Sequence, residues 1–558
     1  MTQEKEVCVG IDLGTTFSSA VEYKPQNYSG DYMIFYSEKC TCMIPSIVKI
    51  TSTNCTIGSN DVIYSLDEDS VIYEVKRLMG KNYDENDKKL MELIEQLPNK
   101  IVQREDKRVG VEIILNKRNN QIQSATYLPE FISALILRKM KHIIQLKYKD
   151  YKIKAVVGIP ATFSDDEMLA TVNAVRMAGI ELIKMVKEPL AAATVYDINE
   201  DGPILIFDFG GGTLDISIVE VKDGFKTVKA CCGDPFLGGK NIDYNIAEFV
   251  KEETIQIAQK VMKIEGKELE EFKQMLEKKK SKIIAFSETL KRELSTKYYS
   301  SCQQRESFVE KDIDFLDDED NELFEQYPIK LTYQKFEEIN KDIFKRCEKL
   351  INDALSKSGY CSNQIKHVIP VGGSCHCPTI MEMLYTKFNK ESRQAITDFE
   401  MTVAKGLAKI AKEVQKGIVT IDETISDIAT KEISVEIMGY DGKNKLETIF
   451  ERGTQLPKTE KKIFVTQVDE QTSIKFNIFE DKKNLMTFYV NNLPPMKKSH
   501  VEVEISFTML KNGRILIDGN VVDQKSSSIQ YECVSTVRNL EEEEIEEMRK
   551  QVEELFHK

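Results

Sequence analysis

Two stretches of this chain have the residue types needed to cradle a phosphate. Residues 10–19 read GIDLGTTFSS and residues 205–217 read LIFDFGGGTLDIS. In each, an apolar run ends in Asp-x-Gly, passes through glycine or threonine, and resumes as another apolar run. Glycine lets backbone N–H groups approach phosphate oxygens, and threonine adds a hydroxyl donor. Asp12 and Asp208 flank the loops, and an aspartate there can hold Mg²⁺ through water, because Mg²⁺ takes oxygen ligands and dehydrates reluctantly. Two such loops facing each other would clamp one nucleotide between related halves. The pattern is that of an ATP-using protein.

The elements that must position these loops are readable nearby. An apolar run bounded by turn residues reads as a buried strand, so each loop should be a tight turn between two strands. Residues 1–412 alternate strand-like runs with helical stretches, an α/β pattern. AVVGIP (155–160) reads as a strand, DDEMLATVNAVRMAG (165–179) as a helix, and EPLAAATVYDI (188–198) as a helix with Pro189 near its start. Residues 247–297 are charged and helical, and 312–325 form an acidic solvated loop or edge hairpin. After Lys412 the texture changes. Residues 413–430 are polar and weakly patterned, a linker. Residues 431–537 carry short alternating runs split by turn residues, the signature of a small β-sandwich. Residues 538–558 read as one short helix that Asn539 can cap. Its stripe of Leu540, Ile545, Met548, Val552 and Leu555 needs a surface to dock on, since such a helix is marginal alone.

Composition narrows the function classes. A length of 558 residues suggests roughly three or four domains. With 41% hydrophobic and 30% charged residues, the chain reads as soluble and globular. A net charge of −14 argues against nucleic acid or an anionic membrane as the main partner. No apolar stretch is long enough to span a bilayer, the N-terminus lacks a signal-peptide core, and ELFHK is no retention signal. Twelve scattered cysteines without a CxxC pair fit a reducing, cytoplasmic setting. Cys375-His376-Cys377 invites a metal reading, but zinc wants four ligands and the chain has five histidines in all, so an ordinary reduced loop is expected.

The chain resembles the 70-kDa heat-shock chaperone family of the DnaK type from about residue 7 to 545. Besides the two loops, VKRLMG (75–80), VVGIPATFSDD (156–166), KEPLAAA (187–193), GDPFLGGKNID (233–243), SETLKRELS (287–295) and VIPVGGSCHCP (368–378) appear in family order. The resemblance implies an α/β actin-like two-lobed ATPase domain, then an all-β sandwich that grips extended peptides, then a short C-terminal helix. It implies ATP/ADP and Mg²⁺ as ligands, with Asp12 and Asp208 orienting hydrated Mg²⁺. Gly14, Thr15 and Thr16 would hold one side of the triphosphate; Gly210, Gly211, Gly212 and Thr213 would hold the other. Lys76 matches the family's catalytic lysine, where an ammonium stabilises charge on the γ-phosphate and positions water. Glu188 matches a carboxylate near that water, and Thr213 a hydroxyl that bonds the phosphate or water. Gly239, Glu288, Lys291, Arg292 and Ser295 would shape the nucleoside pocket, the last four sharing one helix face. Gly372, Gly373, Ser374, His376 and Glu400 would close it from the other side. Val435, Met438, Phe464, Ile474 and Phe476 fall where the family lines its peptide groove, although strand alternation alone sends one face of each strand to the core.

Several positions depart from the family. His376 replaces an arginine that stacks on adenine, and Lys240 replaces a glutamate. Glu423, Thr424, Ile425 and Ser426 replace a run of leucines that docks on the ATPase domain, and burying Glu423 and Ser426 unpartnered would be costly. Met168 and Val172 replace polar or basic residues near that docking site, so weak coupling between ATP and peptide is expected. The family's long helical lid is reduced to one short helix, which predicts fast peptide exchange.

The resulting expectation is an ATP-hydrolysing chaperone for exposed apolar segments, with J-domain co-chaperones and nucleotide-exchange factors as partners. The alternative is an ATP-binding relative that hydrolyses weakly or not at all and assists other chaperones. Sugar kinases and actin-like filament formers share the ATPase fold, but a kinase would not carry the sandwich.

Overall fold

The computed structural model describes residues 5–25, 31–59, 70–97, 99–118, 121–196, 200–301, 304–316, 327–389, 398–417, 425–428, 432–438, 444–451, 454–480, 483–509, 515–521, 528–533, 540 and 542–557. The expected cap Asn539 and most of the acidic 312–325 segment lie outside those residues.

The first phosphate-type loop is the turn of an antiparallel hairpin, β1 (Glu6–Leu13) and β2 (Phe17–Tyr23). Helix α1 (Pro129–Lys147) precedes β3 (Lys152–Ile159), and α2 (Asp165–Met177) leads to β4 (Glu181–Lys187) and α3 (Glu188–Val195). The sheet runs β4-β3-β1-β2 with Tyr32–Ile34 beyond, and β3 lies parallel to both β1 and β4. A parallel pair needs a crossover, which α2 supplies between β3 and β4. Ser164 starts α2 with a capping box: its hydroxyl accepts from the Glu167 N–H while the Glu167 carboxylate accepts from the Ser164 N–H.

The second loop repeats the device. It joins β5 (Gly202–Phe209) to β6 (Leu214–Lys222), which pairs antiparallel with β7 (Phe225–Asp234). Helices α4 (Gly239–Val261) and α5 (Lys280–Ser300) follow, then β8 (His367–Val371), parallel to β5, and α6 (Thr402–Gln415). Between the two sheets lie α3 and α6. Leu190 to Ala193 of α3 and Val403, Leu407 and Ile410 of α6 share one core with Val156 and Val186 of the first sheet and Ile204, Ile206 and Val371 of the second. The helices touch backbone to backbone, since a Cβ on Gly406 would collide with the Ala191 carbonyl. Only glycine permits that approach.

Beyond residue 431 two four-stranded sheets face each other. One runs Asn444–Phe450, Ile433–Met438, Ile474–Glu480, Lys483–Val490; the other runs Lys458–Val465, Glu502–Met509, Ile515–Val521, Ser528–Cys533. Their inner faces build one apolar core. Val435 and Phe476, expected in a peptide groove, are sealed inside it at 0% and 2% exposure. Alternation has sent them to the face that packs on the opposite sheet. Phe464 and Ile474 lie half-buried at the margin of this core, and the Met438 side chain lies outside what the structure describes.

Part of the segment expected to be a polar linker forms a strand. Residues β9 (Ile425–Ile428) add to the second sheet, parallel to β7, and pair on their other edge with β10 (Gln455–Leu456). A strand joins a sheet edge through its backbone, so polar residues at 425–428 do not forbid docking as burial of side chains would. Glu423 and Thr424 lie outside the described residues.

The apolar stripe at the end of the chain docks on the first half. Leu540 and, from α7 (Glu542–Phe556), Ile545 and Val552 enter the same core as Leu135 of α1 and Ala170 of α2. Met548 and Leu555 pack against its edge. Arg138 of α1 fastens the contact, with its Nε 2.7 Å from Glu553 Oε1 and its guanidinium 4.2 Å from the Phe556 ring centroid. Among the described residues, no helix is long and apolar enough to cross a membrane.

Candidate active site

The two hairpin turns meet. A Cβ on Gly211 would collide with the Thr16 hydroxyl, so any side chain there would push the loops apart. Thr16 Oγ1 is buried without a hydrogen-bond partner, an arrangement suited to a ligand oxygen. The second loop is held from behind: Gly239 N–H donates to the Gly210 carbonyl (3.0 Å), and Lys240 N–H donates to that of Gly211 (2.8 Å). The Ser374 hydroxyl donates to Gly210 O as well, at 2.8 Å. On the first loop, the Ser46 hydroxyl donates to Gly14 O (2.7 Å). These bonds occupy carbonyls on the loops. Thr15, Gly212 and Thr213 lie on the same two turns.

Beneath the loops sits a concentration of charge. Lys76 Nζ lies 2.8 Å from Glu188 Oε1, and both side chains are nearly buried. Pro189 and Glu188 occupy the first turn of α3, where a carboxylate suits the helix dipole. Burial works to lower the Lys76 pKa, but Glu188, Asp12 and Asp208 outweigh it and the net direction is up. The aspartates respond oppositely. Burial and then the Glu188 charge push Asp12 up to about 7, against the pull of Lys76. The same causes push Asp215 up to about 7, and burial, Glu188 and Asp215 drive Asp208 well above the carboxylate range.

Sequence reasoning does not single out Asp215, although it stands in the second motif. Its register partner across the hairpin is Asp208, which brings the two aspartates side by side. Four acidic groups around one ammonium disfavour one another's ionised form, and a divalent cation placed among them would restore it. Among the described residues no group of three or more His, Cys, Asp or Glu is arranged to ligate an ion directly. Aspartates reaching Mg²⁺ through its water shell fit that geometry. The expectation of no metal at Cys375 and Cys377 concerns a different place: both are buried free thiols, and Cys375 Sγ lies 3.0 Å from the Val371 carbonyl.

This proton content has a measurable consequence. Folded aspartates titrating near 7 hold protons that unfolded ones, at 3.8, have released. Their contribution to stability is therefore fully present below 3.8 and is lost as pH rises through about 7. Thermal unfolding of ligand-free protein should decline across that window, and Mg²⁺ with nucleotide should flatten the decline. A ligand-free profile that rises instead would contradict the assignment.

The remaining expected residues form two groups. Lys291 of α5 turns inward, 2.7 Å from Asp243 Oδ1 and 3.3 Å from the Gly239 carbonyl oxygen, beside Ser374. Asp243 is a second residue that sequence reasoning misses. His376 Nε2 stands 3.4 Å from Glu400 Oε1, its ring 4.9 Å from that of Phe399. The His376 hydrogen bond is the largest influence on the Glu400 carboxyl and holds it below its usual range, with Arg292 adding to the effect. Glu400 packs on Gly373, next to Gly372 on the loop after β8. Glu288 and Arg292 pair at 2.7 Å on the exposed face of α5, and the Ser295 hydroxyl donates to its own helix at the Lys291 carbonyl. That is the solvated face a helical charge stripe ordinarily makes.

One comparison bears on this arrangement. A family model described as Hsp70 protein matches residues 8–558.

Proposed function

The chain belongs to the 70-kDa heat-shock protein family, and from that premise we propose that it couples ATP hydrolysis to the binding of exposed apolar peptide segments. Members of this family are generally ATPases and chaperones that bind ATP or ADP with Mg²⁺, unfolded peptides and co-chaperones. The single observation that carries the finer reading is the Lys76–Glu188 pair set beneath two glycine turns in contact. Backbone N–H groups and the hydroxyls of Thr15, Thr16 and Thr213 would bind the phosphates from both sides. Mg²⁺, held through water by Asp12 and Asp208, would supply charge neutralisation to the triphosphate. Lys76 would face the γ-phosphate and stabilise its growing negative charge. Glu188, whose carboxylate accepts from the Lys76 ammonium, would orient the attacking water. Lys291, Arg292, Glu288, Ser295, His376 and Glu400 would receive the nucleoside. The sandwich would take the peptide, and J-domain co-chaperones and nucleotide-exchange factors would act on the cycle.

The test is steady-state ATP hydrolysis with and without an apolar heptapeptide. Slow turnover that rises severalfold with peptide is the expected result. Turnover indifferent to peptide would separate the ATPase from any client, and ATP binding without turnover would favour a non-hydrolysing helper.

A further inference from the structure

We propose that Glu74 and Lys240 form a clasp between the two halves of the nucleotide site, and that its opening sets how fast nucleotide leaves. The inference rests on the nucleotide-binding reading above.

Glu74 lies two residues before Lys76, at the start of the Val75–Leu78 turn, with a left-handed φ of 59°. A residue with a Cβ holds that conformation only where its surroundings impose it. Here the imposition is ionic. The Glu74 carboxylate receives Arg77 Nη1 at 3.0 Å from its own turn and Lys240 Nζ from the opposite half. Its side chain is 8% exposed and that of Lys240 is 27% exposed, so this is not one of the solvated ion pairs that contribute little. Burial acts to raise the Glu74 pKa, but Lys240 and Arg77 reverse it and the carboxyl is held below its usual range.

Lys240 is the second residue of α4, at the end of a helix dipole that disfavours a cation. Two groups from the first half hold it there, the Glu74 carboxylate and the Tyr73 ring, whose centroid is 4.6 Å from Nζ. Its own N–H meanwhile supports the second phosphate loop at Gly211. A parallel bond reaches across from Arg77, whose Nη2 donates to the Gly212 carbonyl at 2.5 Å. The turn that carries Lys76 is thus tied to both the loop and the helix that face it. Separating the halves would strip Lys240 from Glu74 and leave a nearly buried carboxylate with Arg77 alone. A glutamate at 240 would instead set two carboxylates together.

Release of a fluorescent ADP analogue, followed by stopped flow, tests the clasp in the parent, Lys240→Met, Glu74→Gln, the double variant and Lys240→Glu. Lys240→Met and Glu74→Gln should each speed release about 5–30-fold, the effect of one or two kcal/mol. The double variant should be no faster than the faster single one, because both remove one interaction, and Lys240→Glu should be the fastest. Parent-like release from Lys240→Met would overturn the proposal. Amide exchange at residues 73–78 and 210–213 in nucleotide-free protein gives a second readout, expected to quicken in Lys240→Met even if Glu74→Gln folds poorly. If the parent binds no nucleotide, the proposed function fails, while unchanged exchange at these segments would overturn the clasp by itself.

Discussion

Lys76→Ala is expected to cut ATP turnover about 100- to 1,000-fold, the scale set by loss of one preorganised charge that faces a transition state. Lys76 is the cation amid Glu188, Asp12, Asp208 and Asp215, and the first three raise its affinity for a proton despite burial. It therefore remains charged at neutral pH, as the proposed contact with the γ-phosphate requires. Without it, the carboxylates face only one another, and a nearly buried Glu188 loses its 2.8 Å partner. The second loop is bonded to α4 and Ser374 and the first to Ser46, and none of these bonds involves Lys76. Nucleotide binding should accordingly survive in large part while single-turnover hydrolysis collapses. Rapid-quench measurement of bound ATP separates the two quantities. Unchanged turnover in the alanine variant would remove Lys76 from the chemistry, and lost binding would make it a ligand anchor instead.

Val552→Asp should release α7 from the first half. Val552 has no solvent exposure and shares a core with residues of α1 and α2. An aspartate there must either bury an unpaired carboxylate, at a cost of about 3 kcal/mol or more, or leave. A helix of this length is marginal alone, so leaving also means unfolding. Hydrogen exchange should then accelerate through Glu542–Phe556 and on the face of α1 that contains Arg138. The exposed Glu547→Ala should change neither. Retained protection in Val552→Asp would show that Arg138, Glu553 and Phe556 suffice to hold the helix.

The two glycine hairpin loops were legible because their chemistry is local. Glycine, threonine and an aspartate at a strand end define a turn that can meet phosphate, and β1–β2 and β5–β6 fold as that pattern requires. The charge stripe on α5 was legible as one face, yet its division was not: Lys291 turns to Asp243, whereas Arg292 stays with Glu288. That choice depends on Asp243 of α4, distant in the chain and adjacent in space.

By itself, then, the sequence determined the hairpin loops, the periodicity of the helices, the alternating strands after residue 431 and the need of the last helix for a surface. These follow from backbone geometry and from the spacing of apolar side chains, both local quantities. Only the tertiary structure decided that Val435 and Phe476 face the opposite sheet, because alternation specifies two faces without saying which is inner. It also decided that α7 packs on α1 and α2, and that Lys240 meets Glu74. Each of these is a long-range pairing of surfaces or charges, selected by what the rest of the fold brings opposite.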